Sequence, residues 1–150
     1  MKISTKGKYG LEAMVDLAVH ASEGPVSLRS ISCRQNLPEN YLEQIFLTLR
    51  RNKLVYSIRG AQGGYKLAKS TQDISVLDVL SALEGPLAPV TCIIAEEGEG
   101  CERYSNCVSR KLWERVKATL DSTVASITLE ELVEKYKSAN RADYGIEYFI

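Results

Sequence analysis

The segment from Leu54 to Lys69 constrains the fold of this chain more than any other. Leu54-Val-Tyr-Ser-Ile58 alternates in β-rich residues, Arg59-Gly-Ala-Gln-Gly-Gly64 is a turn-forming tip, and Tyr65-Lys-Leu-Ala-Lys69 alternates again. That pattern is a β-hairpin. What precedes it is helical. Between Ser4 and Ser22 the apolar Leu11, Met14, Val15, Ala18 and Val19 fall on one stripe, and Gly24-Pro25 ends the run. Ser27 caps a short second helix with Leu28 and Ile31 facing inward, and Asn36-Leu37-Pro38 is the turn after it. Pro38 suits the first position of a third helix, in which Tyr41, Leu42, Ile45, Phe46 and Leu49 repeat at i, i+1, i+4, i+5 and i+8. Three helices and a glycine-rich hairpin predict a mainly α fold with a small β-hairpin, a winged helix-turn-helix. In that architecture the third helix is able to enter a major groove and the hairpin tip to reach flanking phosphate or the minor groove.

The second half reads differently. Ser75 caps a helix through Leu83 that ends at Glu84-Gly-Pro86, and residues 86–107 form a long irregular loop; a loop of that length usually has a function. Val108, Leu112, Trp113, Val116, Leu120, Val124 and Ile127 then keep three- and four-residue spacings along a helix of about twenty residues. Thr128 and Glu131 compose a capping box for a last helix through Tyr136. This apolar face exceeds what a winged head covers, so the chain is expected to pair as a homodimer. The expected division is a winged-helix domain over 1–85, a cysteine-bearing sensor loop over 86–107, dimerisation helices over 108–137 and a tail over 138–150.

A formal net charge of zero conceals a polarity. Residues 1–70 carry eleven Lys/Arg against five Asp/Glu, a balance of +6, and residues 71–150 carry eight against fourteen, a balance of −6. The N-terminal half is suited to a polyanion. With 45% hydrophobic residues the chain can bury a core, while no apolar run approaches the roughly 20 residues that cross a bilayer. The start, MKISTKGKYG, has no signal-peptide core, which places the expected location in the cytoplasm. An enzyme is disfavoured. The sole histidine, His20, lies on the polar side of the first helix without a nucleophile partner, and the glycines at 60–64 are explained by the hairpin.

Cys92, Cys101 and Cys107 share the long loop, with eight and then five intervening residues. The spacing is too loose for a zinc ribbon built on paired C-x-x-C turns. Soft thiolates in a cytosolic loop suit an iron–sulfur cluster, with redox thiols and structural zinc as the other readings. Cys33, on the second helix, reads as a small core residue.

Several motifs together resemble the Rrf2 family of bacterial winged-helix regulators, over nearly the whole chain. They are Met1-Lys-Ile-Ser-Thr-Lys-Gly-Lys-Tyr-Gly10, Tyr41-Leu-Glu-Gln44, Leu54-Val followed by Ser57-Ile-Arg-Gly60, Gly63-Gly-Tyr65, Leu83-Glu-Gly85, and Cys107 followed by Leu112-Trp113. The resemblance implies a dimer crossed by long C-terminal helices on a partly palindromic operator, near genes of iron–sulfur assembly or cysteine and sulfur metabolism, most simply as a repressor. It implies that Asn40, Tyr41, Glu43 and Gln44 sit at the exposed start of the third helix, with Asn40, Glu43 and Gln44 reaching base edges and Tyr41 reaching phosphate, and that Arg59 enters the minor groove. Ser4 and Gln62 join the DNA-binding set, and Lys6, Lys8, Arg50, Arg51 and Lys53 would grip phosphate.

The likeness is greatest to the three-cysteine, IscR-like branch, in which such a loop binds a cluster; here that implies a 2Fe-2S cluster on Cys92, Cys101 and Cys107. The chain departs from the branch at its fourth ligand. Arg110 stands where a histidine is expected, and Lys8 stands where another branch uses a carboxylate. Glu96, Glu97, Glu99, Glu102, a group of the other subunit or an exogenous thiol remain open for that place. A cluster-free alternative stays within the family. The ending Gly145-Ile-Glu-Tyr-Phe-Ile150 resembles isoleucine-terminated tails that engage cysteine synthase, which would make the protein a cysteine-metabolism regulator acting with that enzyme or through a thiol switch.

Overall fold

The computed structural model describes residues 1–94 and 101–147, with side chains through 142. Its elements run α1 (Thr5–Val19), α2 (Leu28–Gln35), α3 (Glu39–Arg51), β1 (Val55–Ile58), β2 (Gly64–Leu67), α4 (Val76–Glu84), α5 (Arg110–Ser126) and α6 (Leu129–Glu147), with 3-10 turns at Ala21–Glu23, Thr91–Ile93 and Tyr104–Asn106.

Local chemistry sets the boundaries. Ser4 caps α1 by accepting from Gly7 N, and Ser27 caps α2 by accepting from Ser30 N. Ser75 and Asp78 close a reciprocal capping box on α4, at 3.0 and 2.8 Å. α2 ends at Asn36, which adopts the left-handed conformation with φ 52°. Pro38 stands one residue outside α3, as its N-cap, and not at its first position.

β1 and β2 pair antiparallel with Val55 opposite Leu67 and Ile58 opposite Gly64, so the five residues Arg59 to Gly63 form the tip of the wing. Val26 adds a short third edge by exchanging hydrogen bonds with Tyr65 at 3.0 and 2.8 Å. Gly64 permits that approach, because a Cβ there would lie 2.4 Å from the Val26 carbonyl oxygen.

The head packs around Ala13, Met14 and Leu17 of α1, Ile31 of α2, and Leu42, Ile45, Phe46 and Leu49 of α3. Val79 and Leu83 of α4 and Leu129 and Val133 of α6 complete this core. α1 is therefore enclosed on more faces than its one predicted stripe provides for. The thiol of Cys33 is exposed, which corrects its reading as a core residue. Ile31 is the inward residue of α2, and a side chain two positions later points about 200° away on a helix.

Two further corrections concern the C-terminal helices. Val108 lies outside α5 and is almost fully exposed. The apolar stripe of α5 is divided: Leu120 and Val124, with Ile127, pack on Val76, Leu80 and Leu87 of the same chain, whereas Leu112 and Val116 are exposed. Helix lengths explain the division. At ~1.5 Å per residue, nine-residue α4 can cover only about half of seventeen-residue α5. The last helix continues to Glu147 instead of ending at Tyr136. It is tied to the head where Leu129 N donates to Ile74 O and Val76 N donates to Ile127 O.

Candidate nucleic-acid interface and cysteine loop

α3 buries Leu42, Ile45, Phe46 and Leu49 and thereby turns Asn40, Glu43 and Gln44 to solvent. Tyr41 is half-buried and meets Tyr9 edge-on, with ring centroids 6.5 Å apart, so its ring is fixed between α1 and α3. Lys6 reaches across from α1 to place its Nζ 3.4 Å from Thr48 Oγ1. Arg50 extends the other way and donates to Ser57 Oγ of β1 at 3.3 Å. α3 is thus flanked by one cation from α1 and linked by another to the wing. Arg59 and Gln62 are exposed at the wing tip, where Gly60 takes φ +113°. Ser4 is occupied differently from the rest. Its hydroxyl caps α1 and also donates to Glu84 Oε1.

Sequence reasoning missed a buried brace. Asp16 of α1 is buried, and its carboxylate accepts from Arg34 and Gln35 of α2. His20 Nδ1 lies 3.6 Å from the same carboxylate and 2.9 Å from the Asp16 carbonyl oxygen. The hydrogen bonds that Arg34 donates to Asp16 raise the Arg34 pKa above its ordinary value. An acid between Val15 and Leu17 on a mostly apolar helix was the available signal, since a buried carboxylate requires a cation.

The cysteine loop joins α4 to α5. Cys92 sits in the Thr91–Ile93 turn and Cys107 ends the Tyr104–Asn106 turn; with Cys101 they are free and partly exposed. A hydrogen-bond contact with Ser109 Oγ at 3.4 Å holds the Cys107 thiol below its ordinary pKa, which favours the thiolate that soft metals bind. The donor types therefore fit a thiolate-bound group. Among the described residues, however, no three His, Cys, Asp or Glu side chains are gathered to hold a metal ion. Glu96, Glu97 and Glu99 lie outside the described residues, and Glu102 is exposed. Arg110 stacks its guanidinium over Tyr104 at 4.5 Å and donates to the Tyr104 carbonyl at 2.9 Å. Its Nε is buried and has no hydrogen-bond partner among the described residues, with Glu114 Oε1 at 3.5 Å. Arg110 thus organises the end of the loop and is not available as a soft ligand.

The chain matches the Rrf2 family, described as iron-dependent transcriptional regulators, over residues 3–135. It is 40% identical over 143 residues to the HTH-type transcriptional regulator IscR of Xenorhabdus nematophila, covering 95% of this chain and 85% of that protein. The structure of CymR, the global cysteine regulator of B. subtilis, matches with a TM-score of 0.73 and 43% identity over 90% of this chain and 98% of that one. T. potens IscR matches with a TM-score of 0.73 and 44% identity over 93% and 90%. Among the described residues no helix is long and apolar enough to cross a membrane. The chain belongs to the Rrf2 family and is a DNA-binding transcriptional regulator, not an enzyme.

Proposed function

We propose that the protein is a homodimeric repressor of iron–sulfur assembly or cysteine and sulfur metabolism genes, controlled by an iron–sulfur cluster of the 2Fe-2S type. Cys92, Cys101 and Cys107 would hold the cluster, with the fourth ligand unassigned. The observation that carries this reading is the position of three free thiols in the connection between α4, a core helix of the head, and α5, whose first half carries the exposed Leu112 and Val116. When bound, the cluster supplies an oxidation-sensitive crosslink. The chain's own residues do the rest. α4 transmits the loop's position to α1, α5 pairs with its copy, and Asn40, Tyr41, Glu43, Gln44, Arg50, Arg59 and Gln62 contact a partly palindromic operator whose half-site spacing matches the dimer.

The test is to purify the protein without oxygen, measure iron and acid-labile sulfide, and select duplexes from a random pool before and after cluster loss. Bound iron with sulfide and a changed selection support the reading. Metal-free protein with the same selection overturns the cluster's role.

Two observations favour a second reading. The Arg110 guanidinium is committed to Tyr104, and the resemblance to a global cysteine regulator is as close in structure as that to IscR. In this reading the regulator is cluster-free and responds through thiols or through cysteine synthase bound to the tail ending in Ile150. Residues 148–150 lie outside the described residues. Binding of the C-terminal peptide to cysteine synthase, blocked by amidating the Ile150 carboxylate, would support it.

A further inference from the structure

We propose that Glu84 is a positioning residue for the DNA-contacting turn at Ser4–Lys6, holding the start of α1 in its binding geometry. The inference rests on the reading that Ser4 and Lys6 face DNA.

The first turn of α1 contains Lys6 and Lys8 and no acidic residue. Cations at the positive end of a helix dipole are unfavourable there, and the usual remedy is a carboxylate in the same turn. Here the carboxylate comes from α4. Glu84 Oε1 accepts from Ser4 N at 2.7 Å and from the Ser4 hydroxyl. That hydroxyl in turn accepts from Gly7 N at 3.2 Å, so one acid fixes the cap and the cap fixes the turn. From this turn Lys6 reaches the solvent face of α3 beside Thr48.

Two glycines make the approach possible. A Cβ on Gly7 would lie 2.3 Å from Glu84 Oε1, and one on Gly10 would lie 2.1 Å from Leu83 Cδ1. The glycines of the N-terminal motif and the Leu83-Glu84 pair are therefore two halves of one contact. The atom that a Gly7 methyl would strike is the free end of a flexible side chain. Gly7→Ala can thus evict the carboxylate without disturbing the backbone, and it improves helix propensity as it does so. Glu84 is also the last residue of α4, and Gly85, at φ +76°, begins the connection that carries the cysteines.

The experiment uses the full chain and a duplex that the unaltered protein selects from a random pool, with affinity measured at one salt concentration. Glu84→Ala and Gly7→Ala should each bind roughly five- to tenfold more weakly, which corresponds to the loss of one positioned contact. Glu84→Gln keeps an oxygen that accepts both hydrogen bonds and should stay within about threefold of the unaltered chain. Gly7→Ala should melt no lower than the unaltered protein, a separation of affinity from stability that a merely structural role would not produce. The Gly7→Ala/Glu84→Ala pair should lose no more than either alone. Amide exchange at Ser4, whose N–H donates to Glu84, and at Gly7, whose N–H donates to the Ser4 hydroxyl, should quicken in Glu84→Ala and Gly7→Ala and not in Glu84→Gln. Unchanged affinity of Glu84→Ala, or additive losses in the pair, would overturn the inference. Unchanged affinity of Lys6→Ala would instead overturn the placement of this turn on DNA, and the exchange rates would then decide the hold of Glu84 on the turn.

Discussion

Arg34 faces Asp16 edge-on, with Nη2 2.6 Å from one carboxylate oxygen and Nε 3.0 Å from the other, and Gln35 donates to the second oxygen at 2.9 Å. This is a bidentate, charge-assisted contact on a carboxylate that is almost fully buried. It fixes the first helix of the helix-turn-helix against α1 at a point where apolar packing alone would permit sliding.

Removing the acid should be more damaging than its surface area suggests. Asp16→Ala withdraws the partner of Arg34 and Gln35 together, and breaking such a pair costs ~2–4 kcal/mol. Chemical denaturation is expected to show a lower midpoint with an unchanged slope. Asp16→Asn, which keeps one acceptor oxygen, should fall between Asp16→Ala and the unaltered protein. Equal stability of all three would mean that the brace contributes nothing.

The wing tip supplies a prediction of opposite character. Arg59 is exposed, so Arg59→Ala should leave stability within ~0.5 kcal/mol while weakening operator binding by ~1–3 kcal/mol. Affinity for a selected duplex at fixed salt, beside a denaturation curve, separates the two effects. A loss of stability with full affinity would assign Arg59 to the fold.

The winged head was legible because its signals are local. Ser27 and Ser75 cap where capping chemistry requires, and the alternating runs on either side of Arg59–Gly63 pair as strands. What the sequence concealed depends on distance along the chain. Asp16 meets Arg34 eighteen residues away, Ser4 meets Glu84 eighty residues away, and periodicity reports neither. Cys33 was misread because its residue type suits a core while its phase on α2, two positions after Ile31, does not. The α5 stripe was continuous by spacing, yet the short α4 covers only its C-terminal part.

That division of α5 changes which substitution tests the dimer. Leu120 lies on the intrachain cluster of Val76, Leu80 and Leu87, so a charge there threatens the fold of the subunit itself. Leu112 and Val116 are exposed within the chain. Val116→Glu should shift the proposed dimer toward monomer at low micromolar concentration with little change in helicity, because Val116 is exposed within the chain and the charge would enter only the proposed seam between copies. Sedimentation that finds the same mass for Val116→Glu and the unaltered chain would remove α5's exposed half from the interface.

The cysteines give the last prediction. Protein isolated without oxygen should be coloured and contain iron and acid-labile sulfide, and Cys92→Ala, Cys101→Ala or Cys107→Ala should each abolish both. Cys33→Ala should retain them, since its thiol belongs to α2 in the head and the other three belong to the α4–α5 connection. Each loop thiol is expected to matter because cysteine thiolates are the ligands that hold such clusters. Arg110→Ala should loosen the turn it pins through Tyr104 and lower the iron retained after exposure to air, while leaving all three thiols in place. One equivalent of zinc without sulfide would replace the cluster with a structural metal. Colourless, metal-free protein that still selects an operator would transfer the sensing role to the thiols themselves or to cysteine synthase.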